Sequence, residues 1–190
     1  MATPKILVFS GSNRSGSLNA KVASLAASKL RAVGAKVTEV DLDKYKLPLV
    51  DASGFGNAPR NATRFAEAIA SHHGMFIASP EYNAGYTPVL KNALDWATLA
   101  KPSAPGTAFA GKVVGVASAS PGPLGGYRGL IQLRTILELG FGALVVPEMA
   151  AVGGGDAAWN EDGTLKDKRT DGFFDAVIAK LLKEASFKRG

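Results

Sequence analysis

Residues 10–19, Ser10-Gly11-Ser12-Asn13-Arg14-Ser15-Gly16-Ser17-Leu18-Asn19, set four serines, two glycines and one arginine between an apolar run and a helix-forming stretch. A loop of this composition can point backbone N–H groups and hydroxyls at an anion, and the dipole of the following helix adds attraction. Neither G-x-G-x-x-G nor G-x-x-x-x-G-K-S/T occurs in it, so the dinucleotide fingerprint and the P-loop do not apply. One arginine with hydroxyl donors suits a terminal phosphate monoester better than a metal-bridged triphosphate. A plain polar turn capped by Ser17 or Asn19 explains one residue and leaves Arg14 and the other hydroxyls idle.

Two further segments carry unusual composition. Residues 79–86, Ser79-Pro80-Glu81-Tyr82-Asn83-Ala84-Gly85-Tyr86, follow an apolar run and feed Leu90-Lys91-Asn92-Ala93-Leu94-Asp95-Trp96. Such a turn can hydrogen-bond the polar edge of a planar heterocycle through its backbone. The alternative is a connector with Glu81 solvated. Trp96 shares its helical spacing with Ala93 and Leu99 and belongs in the core. Tyr82 and Tyr86 fit ring stacking and half-buried interface positions equally. Residues 118–128 contain Gly122, Gly125 and Gly126, which let backbone approach a flat ring closely.

The elements that must position these loops follow from periodicity. Short apolar runs at 5–10, 36–41, 74–79, 112–117 and 143–146 read as strands, and 3.6-residue patterns place helices at 17–33, 60–71, 88–99, 127–139 and 170–187. Gly34 stops the first helix. Residues 43–59 read as an irregular loop. Residues 153–168 read as loop too, with Asp156, Trp159 and Asp162 on a surface excursion or a lid. Five alternations of strand and helix predict one α/β domain over residues 1–190, a doubly wound parallel sheet with right-handed crossovers. Ligands of such sheets sit beyond the carboxyl ends of the strands, where all three loops fall.

Composition narrows the chemistry. The chain has no cysteine, so disulfides, thiolate metal sites and cysteine nucleophiles are excluded, and no metal site is expected. The net charge of +6 is scattered among acidic neighbours, which argues for a solvated surface and against nucleic-acid binding. No apolar run approaches the roughly 18 residues that span a bilayer, and no signal-peptide pattern opens the chain, so no membrane partner and a cytoplasmic location are expected. His72 and His73 adjoin each other at a helix end and read as solvated residues rather than ligands or bases.

Residues 11–19 resemble the G-S-x-R-x-x-S-x-N phosphate loop of the NADPH-dependent FMN reductase family. Pro80-Glu81-Tyr82-Asn83 with residues 90–96 resembles that family's P-E-Y-N followed by L-K-N-A-I/L-D-W. The family has a flavodoxin-like five-stranded sheet of order 2-1-3-4-5 with helices on both faces. The resemblance implies that Ser12, Arg14, Ser17, Leu18 and Asn19 hold the FMN phosphate. Pro80, Glu81, Tyr82 and Asn83 would line the isoalloxazine, with Ser120 on its far side; Gly11 and Gly122 belong to the same cofactor-binding loops. It further implies NADPH or NADH as co-substrate and a flavin, quinone, azo dye or metal oxyanion as acceptor. A homodimer or homotetramer is implied, with Arg128 and Glu148 forming an inter-subunit pair. Residues 86–89, Tyr86-Thr87-Pro88-Val89, depart from the pattern by one place in their proline and glycine. No catalytic acid–base side chain is required. The alternative functions are a flavodoxin-type electron carrier and a flavin-free domain that keeps the fold.

Overall fold

The protein is described by a computed structural model covering residues 3–100 and 108–187. Its strands are β1 (Lys5–Ser10), β2 (Lys36–Asp41), β3 (Gly74–Ala78), β4 (Val113–Ala119) and β5 (Leu144–Val152). Its helices are α1 (Leu18–Ala32), α2 (Arg60–Ala70), α3 (Pro88–Leu99), α4 (Tyr127–Thr135) and α5 (Lys168–Phe187). All strand pairs are parallel, in the order β2-β1-β3-β4-β5. The sheet is flavodoxin-like, as expected, and its order reverses between β1 and β3.

Side-chain alternation splits the core in two. Ile6 and Val8 of β1, Phe76 of β3 and Ala117 of β4 face α1 and α5. Leu7, Phe9, Met75, Ile77, Val114 and Val116 face α2, α3 and α4. Every residue of β3 and β4 is buried, which explains why these strands read as continuous apolar runs. Trp96 lies in the second core, with its indole N–H donating to Pro48 O at 2.6 Å.

Four features differ from the sequence reading. Strand β5 is nine residues long and does not end at 146. Pro147 hides it, because proline cannot donate to a ladder. The strand bulges there, so Val114 pairs with Val145 but Val116 pairs with Met149, and pairing then resumes to Val152. The loop at 43–59 contains two short 3-10 turns, Leu42–Tyr45 and Ala52–Gly54. Trp159 and Leu165 pair with each other and are buried in the α1/α5 core, so 153–168 is an anchored loop rather than an excursion or a lid. His72 is not solvated, whereas His73 is half-exposed. His72 is buried, with Nδ1 2.6 Å from Ala68 O and Nε2 2.7 Å from Thr38 Oγ1. A carbonyl only accepts, so Nδ1 carries the proton and Nε2 accepts from the threonine. His73 Nδ1 accepts from Lys5 N at 2.9 Å.

Candidate functional site

The β1–α1 loop forms because Gly11 lets the chain pass beneath α3. A Cβ there would come within 2.9 Å of Leu90. Gly11 N–H donates to Ala78 O at 2.8 Å, and its carbonyl accepts from the Thr87 hydroxyl, the residue that caps α3. Beyond Gly11 the backbone leaves the sheet, and the N–H groups of Ser12 and Asn13 donate to nothing within the chain among the described residues. Ser17 caps α1, its hydroxyl accepting from Asn19 N at 3.2 Å. Arg14 is exposed and forms no ion pair with any described residue. The Ser12 residue with its free N–H, the α1 N-terminus at Ser17 and the unpaired Arg14 guanidinium border one cleft, and they fit a phosphate monoester; Asn13 lines the adjoining cavity.

Asn19 does something else. Its side chain is buried, donating from Nδ2 to Ala119 O at 2.9 Å and accepting at Oδ1 from Ala119 N at 3.0 Å. This two-point clamp fastens the start of α1 to the end of β4. One amide N–H and the amide oxygen are engaged in it.

The turn after β3 closes on itself. Tyr82 and Gly85 exchange two backbone hydrogen bonds of 2.9 Å, with Asn83 at φ +49° and Ala84 at φ +65° between them. Two consecutive left-handed residues match a type I′ turn; asparagine tolerates this conformation, whereas alanine is strained in it. Glu81 points across the turn to α4, not into a solvated position. Arg128 donates to Glu81 Oε1 from both Nε, at 2.9 Å, and a terminal nitrogen, while Gly129 N–H donates to Oε2 at 3.1 Å. Helix α4 needs this acceptor, because its N-cap is Gly126, at φ +90°, with no side chain to offer. The Glu81 side chain is 8% exposed. Burial pushes its carboxyl up, but Arg128 and the Gly129 N–H pull it below the usual carboxylate range.

The loop after β4 packs tightly against β5. A Cβ at Gly125 would meet the Ala151 and Val152 backbone at 2.7 Å. Ser118 Oγ donates to Gly125 O at 2.7 Å, and Ser120 N donates to Val152 O at 3.0 Å.

Together the three loops enclose a cleft of about 130 Å³ at the β1/β3 reversal. Ser12, Arg14, Ser17, Leu18 and Asn19 form one end, Pro80, Glu81 and Tyr82 one wall, and Ser120 the other. Three expected residues stand outside the lining. Gly11 supports the loop from below, Asn83 sits at the exposed apex of its turn, and Gly122 accepts from Ser120 Oγ at 3.4 Å. Ala119 and Pro121 line the cleft without having been anticipated; as an alanine and a proline they contribute backbone and shape, which residue type does not advertise. Tyr82 is 54% exposed beside the cleft, whereas Tyr86 packs against the second core. Glu148 is remote from Arg128's partner Glu81 in sequence and keeps one buried carboxylate oxygen without a hydrogen-bond partner.

A 2-1-3-4-5 parallel sheet with an anion-directed loop at its reversal point defines a flavodoxin-like protein of the mononucleotide-binding kind. The NADPH-dependent FMN reductase family matches residues 4–157. The chain belongs to that family. It is 34% identical over 166 residues to an NAD(P)H-dependent FMN reductase of Pseudomonas aeruginosa, covering 87% of this chain and 86% of that one. It is 30% identical to a quinone reductase of Pseudomonas putida over 97% of this chain and 96% of the other. The solved structure of FerB, a flavoenzyme NAD(P)H:(acceptor) oxidoreductase of Paracoccus denitrificans, matches 96% of this chain and 99% of its own length, with a TM-score of 0.78 at 27% identity.

Proposed function

We propose that this chain is an FMN-dependent NAD(P)H oxidoreductase that takes a hydride from a nicotinamide nucleotide and passes reducing equivalents to a small acceptor. Free flavin and quinones are the acceptors its relatives' names favour; azo dyes and metal oxyanions are further candidates. The observation that carries the reading is the unpaired Arg14 guanidinium beside the idle Ser12 and Asn13 N–H groups at the start of α1. FMN, when bound, supplies the hydride chemistry itself.

The residues of the chain supply position. Arg14 and the loop donors hold the phosphate end. The Pro80–Tyr82 turn and Ser120 flank the ring. A site enclosing a whole drug-sized ligand measures roughly 300–1,000 Å³, so a ring held at this smaller cleft would remain accessible to a nicotinamide and then to an acceptor. Glu81 is the carboxylate of the cleft wall and is committed to Arg128 and Gly129, so the cleft orients its ligands and provides no proton relay.

The chain works as one flavodoxin-like unit in the cytoplasm, assembled as a homodimer or homotetramer. Leu124, Tyr127 and Ile131 are 56%, 45% and 49% exposed on the α4 side of the cleft, a surface suited to a second copy. Arg128, 60% exposed on its side chain, has guanidinium capacity left for the Glu148 carboxylate of such a copy. No helix among the described residues is long and apolar enough to cross a membrane. Anaerobic stopped-flow mixing of the FMN-loaded protein with NADPH and with NADH tests the reading. Bleaching of the flavin absorbance by at least one nucleotide is expected, and bleaching by neither refutes it.

A further inference from the structure

A second and larger cavity, about 530 Å³, lies behind the β1–α1 loop, beyond the C-terminal ends of β1 and β2. Ser12 and Arg14 line both spaces, so the loop separates two adjoining compartments. The volume falls within the roughly 300–1,000 Å³ typical of small-molecule sites.

The walls have a definite chemistry. Ala20, Ala23 and Ser24 of α1 offer a face of small side chains. Ser10, on the same side of β1 as Ile6 and Val8, lines the cavity, and its hydroxyl is buried with no hydrogen-bond partner. At the end of β2, directly beside Ser10 in the sheet register, stands Asp41. Asp41 Oδ1 accepts from Asp43 N at 3.0 Å, and no cation pairs with this carboxylate among the described residues. Glu39 and Asp43 stand on the same wall but are neutralised by Arg31 at 2.7 Å and Lys46 at 2.6 Å. Arg14 and Lys44 complete the lining, neither in an ion pair with a described residue; Arg14 is the cation of the mononucleotide phosphate, which leaves Lys44 to this cavity.

A carboxylate at a strand end, cations nearby and a smooth small-residue wall complement a nucleoside 5′-phosphate. The ribose diol donates to the carboxylate, the phosphate meets Lys44, and a flat base lies along the alanines. A carboxylate after a neighbouring strand receives ribose hydroxyls in this way in dinucleotide-binding sheets. A phosphate on the 2′ position would instead meet the unpaired Asp41 carboxylate.

We propose that this cavity binds the adenosine 5′-phosphate half of a dinucleotide lacking a 2′-phosphate, with its ribose hydroxyls on Asp41 and its phosphate on Lys44. The proposal rests on the Arg14 loop being a mononucleotide phosphate site. Of the redox dinucleotides, NADH and FAD carry this half, and the test tells them apart.

Isothermal titration of the FMN-loaded protein with 5′-AMP and with adenosine 2′,5′-bisphosphate reads the cavity directly. AMP should bind about tenfold more tightly than the bisphosphate, and Asp41→Asn should weaken AMP about tenfold, the scale of one charge-assisted hydrogen bond. The same variant keeps the acceptor for Asp43 N, so FMN affinity and melting temperature should stay unchanged. NADH half-saturating flavin reduction below NADPH, with the difference lost in Asp41→Asn, assigns the half to the co-substrate. FAD binding more tightly than FMN, with the gain lost in Asp41→Asn, assigns it to the flavin. No AMP binding, or AMP binding indifferent to Asp41→Asn, overturns the proposal. AMP binding that depends on Asp41 in a protein whose flavin neither nucleotide bleaches keeps the cavity and removes the oxidoreductase reading.

Discussion

Truncating Glu81 to alanine removes two hydrogen bonds from Arg128 and one from the Gly129 N–H. Their weights differ. Arg128 is mostly exposed, so after solvent screening its ion pair contributes about 0–1 kcal/mol. The Gly129 N–H belongs to the first turn of α4, whose own cap residue has no side chain, and losing such an acceptor costs about 1–2 kcal/mol. The total is about 1–3 kcal/mol, and at roughly 2–4 °C per kcal/mol for a chain of this size the flavin-free protein should melt about 2–12 °C lower.

Circular dichroism melts of the flavin-free protein measure this, and quenching of FMN fluorescence measures affinity alongside. FMN affinity should fall only a few-fold, as an indirect result of a loosened α4. Glu81→Gln should fall between wild type and alanine. Its amide offers Gly129 an acceptor only by turning its own donors toward Arg128. In a double-mutant cycle, Arg128→Ala on top of Glu81→Ala should add less than about 0.5 kcal/mol, because the partner is already gone. The pH dependence has a definite sign. The folded carboxyl titrates below its ordinary value of 4.5, so its contribution is fully present above that pH and is lost as acid passes through the lower folded value. A Glu81→Ala protein that melts with wild type while losing FMN would refute the reasoning and return the side chain to the ligand.

Arg14→Ala should weaken FMN by about 1.5–3 kcal/mol, the scale of a charged hydrogen bond, in a fluorescence titration; unchanged affinity would move the phosphate elsewhere. Ala84→Gly relieves a left-handed alanine and should stabilise the protein by about 1 kcal/mol, read as a rise in melting temperature; a fall would mean the turn is not strained. His72 titrates below 6.5, chiefly because it is buried and also because Lys5 and Lys112 repel its charge, against the Ala68 carbonyl. Its contribution is therefore present above pH 6.5 and lost as pH falls through the folded value, and His72→Gln should flatten that acid limb of a stability–pH curve. Asn19→Ala strands the buried N–H and C=O of Ala119 and should cost about 2–4 kcal/mol in chemical denaturation; a variant of wild-type stability would undo the clamp.

The sheet was legible because buried parallel strands leave unbroken apolar runs and because each helix carries its own stop, as Gly34 does for α1. What escaped notice depended on partners distant in sequence. Strand β5 looked four residues long because Pro147 ends any ladder, and only the bulge opposite Gly115 lets pairing resume. Trp159 sat among glycines and polar residues, with no periodicity to mark it as core; its burial comes from pairing with Leu165 and packing on the α1/α5 side. The histidines read as solvated because nothing near them in sequence reveals Thr38 or the Lys5 backbone. The cleft residues were legible as a set of loops, since their types are rare at strand ends. Their individual duties were not.

Those duties show how a small cleft is kept in shape without a ligand. Of the polar side chains that line the cleft, Asn19 and Glu81 are also tied to the protein itself. Asn19 fastens the first loop to the end of β4, and Glu81 fastens the second turn to the start of α4, whose preceding loop is in turn fixed to β5 through Ser118, Gly125 and Ser120. Each clamp joins two loops, so none of the three can shift alone. On the proposed function, contacts to a bound mononucleotide fall first to Arg14 and the free backbone donors. Preorganised backbone donors need not reorganise when charge arrives, which is the condition under which they stabilise an anion most effectively. A motif of this kind therefore marks a frame as much as a set of ligand contacts, and a substitution at Asn19 or Glu81 should register in the stability of the flavin-free protein before it registers in affinity.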